Sequence, residues 1–380
     1  MSPSTTNGAP PPSTLSSKPY YKIASMPGDG IGPEVISAGI RVLSCLASTL
    51  GTFSLEFTHF PWSSDYYLEH GTYLPKDAIE QLKPHNAILF GSVGHPDVPD
   101  HISLWGLRLA LVQGMDLYAN IRPTRLLRGI TSPLRSVSLP TDLDMLIIRE
   151  NSEGEYSGHG GRSHINTPLE TGTEVSIFTR AGVERIMRFA FAEAARRPRK
   201  RLIVVTKSNA QRYGMVMWDA IAAEVAEEFA SSGVKWEKML VDAMTARMVL
   251  DPKSIDTVVA TNLHADIISD LAAALAGSMG VAPTGNLDPE RRFPSLFEPI
   301  HGSAFDLVGK GLANPVATFW TGSEMLKWLG EEEAAEGLME CVESVLDGGV
   351  KTRDLGGKAG SEEVTSKVCE EIERRFGGRK

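Results

Sequence analysis

The stretch DTVVATNLHADIISDLAAALAGSMG, Asp256 to Gly280, passes straight from one kind of structure into another. Its first seven residues are β-rich, and Leu263–Met279 follows with helical spacing. The helix is apolar and alanine-rich except for Asp266 and Asp270, which stand four residues apart. Residues i and i+4 are neighbours on a helix, where a like-charge pair costs roughly 0.2–0.5 kcal/mol. No Lys or Arg occurs between Lys253 and Arg291, so the compensating cation must come from elsewhere in the fold or from solution.

Outward from this unit the alternation repeats. YKIASMPG is a strand candidate, followed by a helix from about Pro33 to Leu50. SLEFTHF, NAILFG, DMLIIRE, RLIVVTK and VKWEKMLVD read as further strands, and Ala181–Arg196, Gln211–Ser231, Ala313–Leu329 and Ala334–Leu346 as helices. Alternation of this kind predicts an α/β fold on a largely parallel sheet. Functional groups in such a sheet gather where strands end. The glycine-rich segment Gly158–Glu174 suits either a loop or a protruding arm. The one basic cluster, RRPRKR from Arg196 to Arg201, closes a helix and opens a strand, so a structural role accounts for it. No internal repeat is present.

At 380 residues the chain has room for two domains and a sizeable core. Its 42% hydrophobic and 22% charged residues are those of a soluble globular protein. A net charge of -9 argues against nucleic acid as a partner. Cys45, Cys341 and Cys369 are scattered without CxxC spacing, which fits a reducing compartment and gives no thiolate metal site. No apolar run approaches the roughly 20 residues that a membrane span needs. The first 19 residues, MSPSTTNGAPPPSTLSSKP, lack both the apolar core of a secretory signal and the Arg content of a mitochondrial presequence. They read as a disordered tail on a cytoplasmic protein.

Several residues could do chemistry. PGDGIGPEV, Pro27 to Val35, fails the dinucleotide pattern because Pro33 stands where GxGxxG would continue. A tight strand-to-helix turn and a phosphate role both remain open for it. Arg122 in ANIRP and Arg149 in IIREN are candidates for forked recognition of carboxylates, or for structural ion pairs. Lys207 ends the strand in VVTKSN, as a surface lysine or as an acid–base group. Asp242, Asp266 and Asp270, with no thiolate or close His pair, suit a hard cation, Mg²⁺ or Mn²⁺. His264 reads as a helix-start residue. In EPIHGSAFDLVGKGLANP, Glu298 to Pro315, Asp306 could accept ribose hydroxyls, which favours NAD; an ordinary loop is the alternative.

The order of GDGIGPEV, ANIRP, RENSEGEYSG, TKSN, VDAM, NLHADIISDLAAALAGSMGVAPTGNL and FEPIHGSAFDLVGKGLANP resembles the β-decarboxylating dehydrogenases, from about Ile23 to Gly349. SLWG, RENSEGEYSG and NLDPERRFPSLFEP are most similar to the tartrate/D-malate branch. The resemblance implies an isopropylmalate dehydrogenase-like two-domain fold with a large mixed sheet, not a Rossmann nucleotide domain. It divides the chain into an NAD-binding domain, 20–118 plus 277–380, and a substrate, metal and dimerisation domain, 119–276, with an arm near 157–180. By the same resemblance Arg122 and Arg149 grip a substrate carboxylate, and Asp242, Asp266 and Asp270 hold Mn²⁺ or Mg²⁺. Lys207 and Asp242 reach across from the second subunit of a homodimer. Tyr156 protonates the enolate carbon, and Asn209 lies near the nicotinamide. Glu298, His301, Gly302, Ser303, Ala304, Asp306 and Asn314 form the NAD pocket, and K⁺ stands as a further candidate ion. The implied reaction is NAD-dependent oxidation, with β-decarboxylation, of a 2-hydroxy dicarboxylate. Alternatives are a 3-substituted malate substrate, or a ligand-binding paralogue without turnover.

The family pattern breaks in places. Val112 stands where a third substrate arginine is expected, ten residues before Arg122. Losing one charge-assisted contact costs on the order of 1.5–3 kcal/mol. Arg108, four residues earlier and on the same face of a regular helix, is the expected substitute, or a reader of a polar substituent. His264 and Ala265 replace Phe and Gly, Phe305 replaces Pro, and Gln113 and Gly114 stand where basic and acidic residues are common.

Overall fold

The computed structural model describes residues 18–378, so residues 1–17 of the expected tail lie outside it. Its strands are β1 (Tyr20–Gly28), β2 (Ser54–His59), β3 (Ala87–Ser92), β4 (Ala119–Arg125), β5 (Asp144–Glu150), β6 (Gly154–Ser163), β7 (Thr171–Ile177), β8 (Arg201–Thr206), β9 (Lys235–Leu240), β10 (Thr257–Ala260), β11 (Pro283–Leu287) and β12 (Ser295–Pro299). Ten of them form one sheet in the order β2-β1-β3-β12-β11-β4-β5-β10-β8-β9. The two wings are parallel, and their inner strands β3, β5, β8 and β10 read as apolar runs because both their faces are buried, whereas the edge strands β2 and β9 are partly exposed. In the middle, β11 runs antiparallel to β12 and β4, and β4 antiparallel to β5. The sheet is therefore mixed, as the resemblance implied, and still largely parallel, as the alternation of strands and helices implied.

The wing strands fall where the apolar patterning places them. The middle strands β4, β11 and β12 escape it. In β4 the face buried at the centre carries Asn120, Arg122 and Thr124, so polarity is inverted. In β11 the five residues PTGNL include Pro, Gly and Asn, all weak strand formers, yet every one is buried. Tertiary pairing decides both.

The helix Gly32–Leu50 starts on Pro33 and stops at Gly51, which takes the left-handed conformation at φ 71°. It is the one described helix long and apolar enough to cross a membrane, and its Val35, Ile36, Val42, Leu43 and Leu46 are buried in the core. The largest apolar cluster joins this helix to Val316–Leu329, Glu332–Asp347 and Ser361–Phe376, and continues to Trp218 and Ile186. A second cluster lies within residues 126–276, and a third packs Trp62, Tyr73, Leu107 and Val112 under β1, β3 and β12. Residues of the basic run serve structure: Arg197 is paired with Asp144 and Asp256, and Arg199 with Asp256. The Gly158–Glu174 question resolves as a hairpin, with β6 and β7 antiparallel in their own two-stranded sheet and exposed from His159 to Glu174.

Candidate active site

The site is written across the antiparallel middle of the sheet. Directly opposed residues share a sheet face. The register sets Arg149 of β5 opposite Asn120 of β4, and Asn120 opposite Asn286 of β11. Thr284 stands opposite Glu298 of β12, and Arg122 lies two residues from Asn120 on the same face. The helix Asn262–Leu275 packs over β4 and β5 and brings down Asp266 and Asp270.

The cation that the aspartate pair requires comes from the fold. Arg149 Nη1 donates to Asp266 Oδ1, and its Nε donates to Asn262 Oδ1 at 2.8 Å. Arg122 donates to Asp266 Oδ1 at 3.2 Å, to Ser269 Oγ at 2.7 Å and to Asn120 Oδ1 at 3.1 Å. Asp270 has only a long ion pair, 3.7 Å from Arg122. Tyr156 OH donates to Asp266 Oδ2 at 3.3 Å, and the Arg149 guanidinium lies 5.2 Å from its ring centre.

Electrostatics follow from this layout. Burial opposes ionisation of Asp266, but the guanidinium groups of Arg149, Arg122 and Arg108 outweigh it and hold the carboxyl low. Asp270 is pushed up by burial and by Asp266. Burial, then the Arg149 charge, pulls Arg122 down to about 10. Burial and the Asp266 charge raise the Tyr156 phenol, which therefore stays protonated through neutral pH.

Arg108 arrives by a route the helical pattern did not show. Leu104–Leu109 forms a π turn between the short helices Asp100–Ser103 and Ala110–Gly114. Gly106 is required there, because a Cβ would collide with the Tyr73 ring. Regular spacing had placed Arg108 and Val112 on one face, but the structure gives them different surroundings. Val112 is 1% exposed in the apolar cluster with Leu107, Leu111 and Met115, and lines no part of the cleft. Arg108 does line it, with Nε on Glu298 Oε1 at 2.8 Å.

The cleft holds about 250 Å³ and is lined by Arg108, Arg122, Arg149, Tyr156, Asp266, Asp270 and Glu298, with His301 and Gly302 at its rim. Lys207, Asp242 and Asn209 are not among its lining residues. Lys207 Nζ instead meets Asp242 Oδ1 at 2.6 Å, which holds that carboxyl below its ordinary range. Asp242 is 65% exposed, in the first turn of the helix Val241–Leu250, and Asn209 is exposed. Among the described residues no group of three acidic, His or Cys side chains could hold a metal ion.

The glycine cluster supports the carried-over NAD loop. Gly30, at φ 60°, has no room for a Cβ against the Ser303 carbonyl, which accepts the Ile31 N–H at 2.8 Å. Asp29 accepts from Ser64 N and Oγ, both at 2.6 Å, and from Gly94 N at 2.8 Å. His301 Nε2 is buried without a hydrogen-bond partner among the described residues, and burial lowers the His301 pKa. An orphaned polar atom in a loop that also carries exposed Asp306 and Gly302 fits a nucleotide. In the same loop Asn314 Oδ1 accepts the Val316 N–H at 3.0 Å and its Nδ2 donates to Asp354 at 2.8 Å. His264 is buried, with Nδ1 unpartnered among the described residues, and nothing in the structure explains why it replaces Phe.

Sequence reasoning missed the buried amides. Asn286 Oδ1 accepts from Asn120 at 2.8 Å and from Asn151 at 2.9 Å, while Asn286 Nδ2 donates to Glu298 at 2.8 Å. Asn120 also donates to Thr284 Oγ1 at 2.8 Å. No sequence pattern marked them, because turn-forming Pro stands near Asn120 in ANIRP and near Asn286 in PTGNL.

Comparison with known proteins gives the class of enzyme first. The family model described as isocitrate/isopropylmalate dehydrogenase matches residues 22–372, and the chain belongs to this family. Family members are dehydrogenases that use NAD and a divalent metal. Within it, the chain is 65% identical over 352 residues to a protein of Agrobacterium vitis named probable tartrate dehydrogenase/decarboxylase, covering 93% of this chain and 98% of that one. It is 47% identical to the D-malate dehydrogenase [decarboxylating] of Escherichia coli (strain K12), covering 93% and 99% of the two chains. Among solved structures it is similar to isocitrate dehydrogenase from Methylococcus capsulatus, with a TM-score of 0.83, 30% identity, and 93% and 99% coverage.

Proposed function

We propose that the protein is an NAD- and Mn²⁺- or Mg²⁺-dependent dehydrogenase that oxidises C2 of a 2-hydroxy dicarboxylate of D-malate or tartrate type and releases CO₂. One observation carries the reading: Arg122, Arg149, Tyr156, Asp266 and Asp270 converge on a cleft of about 250 Å³, scaled to a small acid. The names of the relatives point to the same substrates.

The metal site fits in part within one chain. Among the described residues Asp270 accepts no hydrogen bond, which leaves it able to ligate, while Asp266 must exchange its guanidinium neighbours for an ion. All-oxygen donors suit a hard cation. The third carboxylate, Asp242, comes with Lys207 from a second copy, so the working unit is a homodimer with shared sites. The exposed hairpin of β6 and β7, with Ile165, Leu169 and Val175 uncovered, serves as its joining arm. Residues 20–118 with 277–380 form the NAD-binding domain and 119–276 the substrate domain, in a cytoplasmic enzyme.

Each residue then has a physical task. Arg122 and Arg149, once released from Asp266, grip a substrate carboxylate in forked geometry. Lys207 takes the proton of the 2-hydroxyl. Held by His301 and Asp306, NAD⁺ would supply the acceptor for the C2 hydride, and a divalent ion held by Asp242, Asp266 and Asp270 would supply the Lewis acidity that lets CO₂ leave. Tyr156, kept protonated by its surroundings, donates its phenolic proton to the carbon that CO₂ leaves. Asn209 orients the nicotinamide, and His301 and Asp306 hold the adenosine end. The test is a panel of 2-hydroxy dicarboxylates with NAD⁺ and Mn²⁺, read by absorbance of reduced cofactor and by released CO₂. Turnover on D-malate or tartrate is expected; silence on every acid, with ligand still raising the melting temperature, replaces the enzyme by a binding protein.

A further inference from the structure

The cleft carries three guanidinium groups and three carboxylates, but they are paired in two different ways. Arg122 and Arg149 share Asp266 with one another and with Tyr156. That carboxylate is a proposed metal ligand, so their pairing is provisional. Arg108 is tied to Glu298, which has no such role. Both side chains are deeply withdrawn, at 11% and 7% exposure. Burial opposes the charge on Arg108, yet the adjacent Glu298 holds it firmly protonated.

The pair is also built in from behind. Glu298 Oε1 accepts from Arg108 Nε at 2.8 Å and from Asn286 Nδ2 at 2.8 Å. Arg108 Nη2 reaches Asn286 Oδ1 at 3.5 Å, and that oxygen is fixed in turn by Asn120 and Asn151. Two of the five guanidinium N–H groups are thus assigned, and the others have no hydrogen bond among the described residues. What faces the cleft here is a neutral pair that offers spare donors beside a carboxylate acceptor.

A neutral pair is a poor reader of a second carboxylate and a good reader of a hydroxyl, which both donates and accepts. It also rejects an alkyl group, because burying one would strip water from the charges without replacing any hydrogen bond. We infer that Arg108 and Glu298 together are the specificity element of this cleft, selecting a hydroxyl on C3 of the substrate over hydrogen or alkyl. This assignment rests on the dicarboxylate reading above. It assigns Glu298, carried over as an NAD residue, to substrate selection as Arg108's counter-ion. Val112, buried away from the cleft, has no share in it.

The test compares three acids that differ only at C3: tartrate with hydroxyl, D-malate with hydrogen, and 3-isopropylmalate with alkyl. Arg108→Leu alone leaves Glu298 buried without a counter-ion, so the double variant Arg108→Leu/Glu298→Gln is made beside it. Expected for the double variant is a fall in the tartrate-to-malate ratio of kcat/KM on the order of tenfold or more, with a rise for 3-isopropylmalate relative to both. The ratio of equilibrium dissociation constants, measured by calorimetry without NAD, should move the same way. An equal fall on all three acids, or an unchanged ratio in a variant that folds with wild-type circular dichroism, overturns the inference. Wild-type enzyme silent on all three acids would instead sink the dicarboxylate reading itself, and is distinguishable because no variant is involved.

Discussion

Two acidic centres in this molecule are built on opposite principles. Asp266 lies over the sheet between Arg122 and Arg149, with a tyrosine hydroxyl on its free oxygen. Asp242 stands 65% exposed with one lysine for company. The first has its surroundings fixed by β4, β5 and the buried amides behind them; the second has little around it. A catalytic group left in bulk water loses most of the electrostatic advantage that a low-dielectric site supplies. This contrast is the ground for the proposal that Lys207 and Asp242 form half of a site and meet the cleft of another copy.

That comparison breaks most directly in a complementation experiment, which has the largest expected effect. Tyr156→Phe and Lys207→Met should each lower kcat by roughly 100-fold or more, as loss of a positioned proton donor or acceptor does. Co-expressed with two different tags, the two inactive chains should recover about a quarter of wild-type activity by random pairing in a symmetric dimer. One site of each mixed dimer then has both residues intact. If the purified mixed dimer stays as inactive as its parents, the sites are not shared and the exposed Lys207–Asp242 pair needs another explanation.

A second experiment works inside the cleft. Asp266 neutralises two guanidinium groups that are 5% and 2% exposed, whereas Asp270 meets only one, at 3.7 Å. Asp266→Asn should therefore destabilise the fold by about 2 kcal/mol, since it leaves buried charge uncompensated. Asp270→Asn should stay within about 0.5 kcal/mol of wild type. Both should weaken Mn²⁺ binding. Urea midpoints without metal, set beside Mn²⁺ titrations, separate the two roles; equal destabilisation would show that Asp270 is held as tightly as its neighbour.

The same contrast explains what could be read from the sequence. The parallel wings follow from apolar runs such as DMLIIRE and RLIVVTK, whose bounds differ from the observed strands by no more than a residue. Asp266, Asp270, Arg122, Arg149 and Tyr156 were identifiable because they recur in recognisable motifs, and the fold does bring them together. The middle strands were not, because β4 and β11 bury polar residues against one another and so reverse the pattern that marks a strand. Arg108 was named and does line the cleft, but the π turn that carries it was not legible, because nothing in the spacing of SLWGLRLALVQG announces one. The amides Asn120, Asn151 and Asn286 were invisible for a related reason. They bond to one another across two strands and a loop, and such pairing exists only once the sheet is assembled.

The smallest effect expected is on the exposed side of the comparison, and its sign can be worked out. The Lys207 hydrogen bond lowers the Asp242 pKa in the folded chain below its ordinary value of 3.8. A depressed carboxyl stabilises the folded state at pH values above its unfolded pKa, and that contribution disappears as pH falls through the folded value. Asp242→Asn should thus melt slightly below wild type at pH 7, with the gap closing in strong acid. Solvent screens so exposed a pair, and 0.5 M salt should close the gap at pH 7 as well. A gap that persists in salt, or that widens with protein concentration, would mean that Asp242 is already withdrawn from water in the assembled protein. Screening would then fail because the second copy covers the pair, so this weak measurement bears on the same division of the site as the complementation experiment.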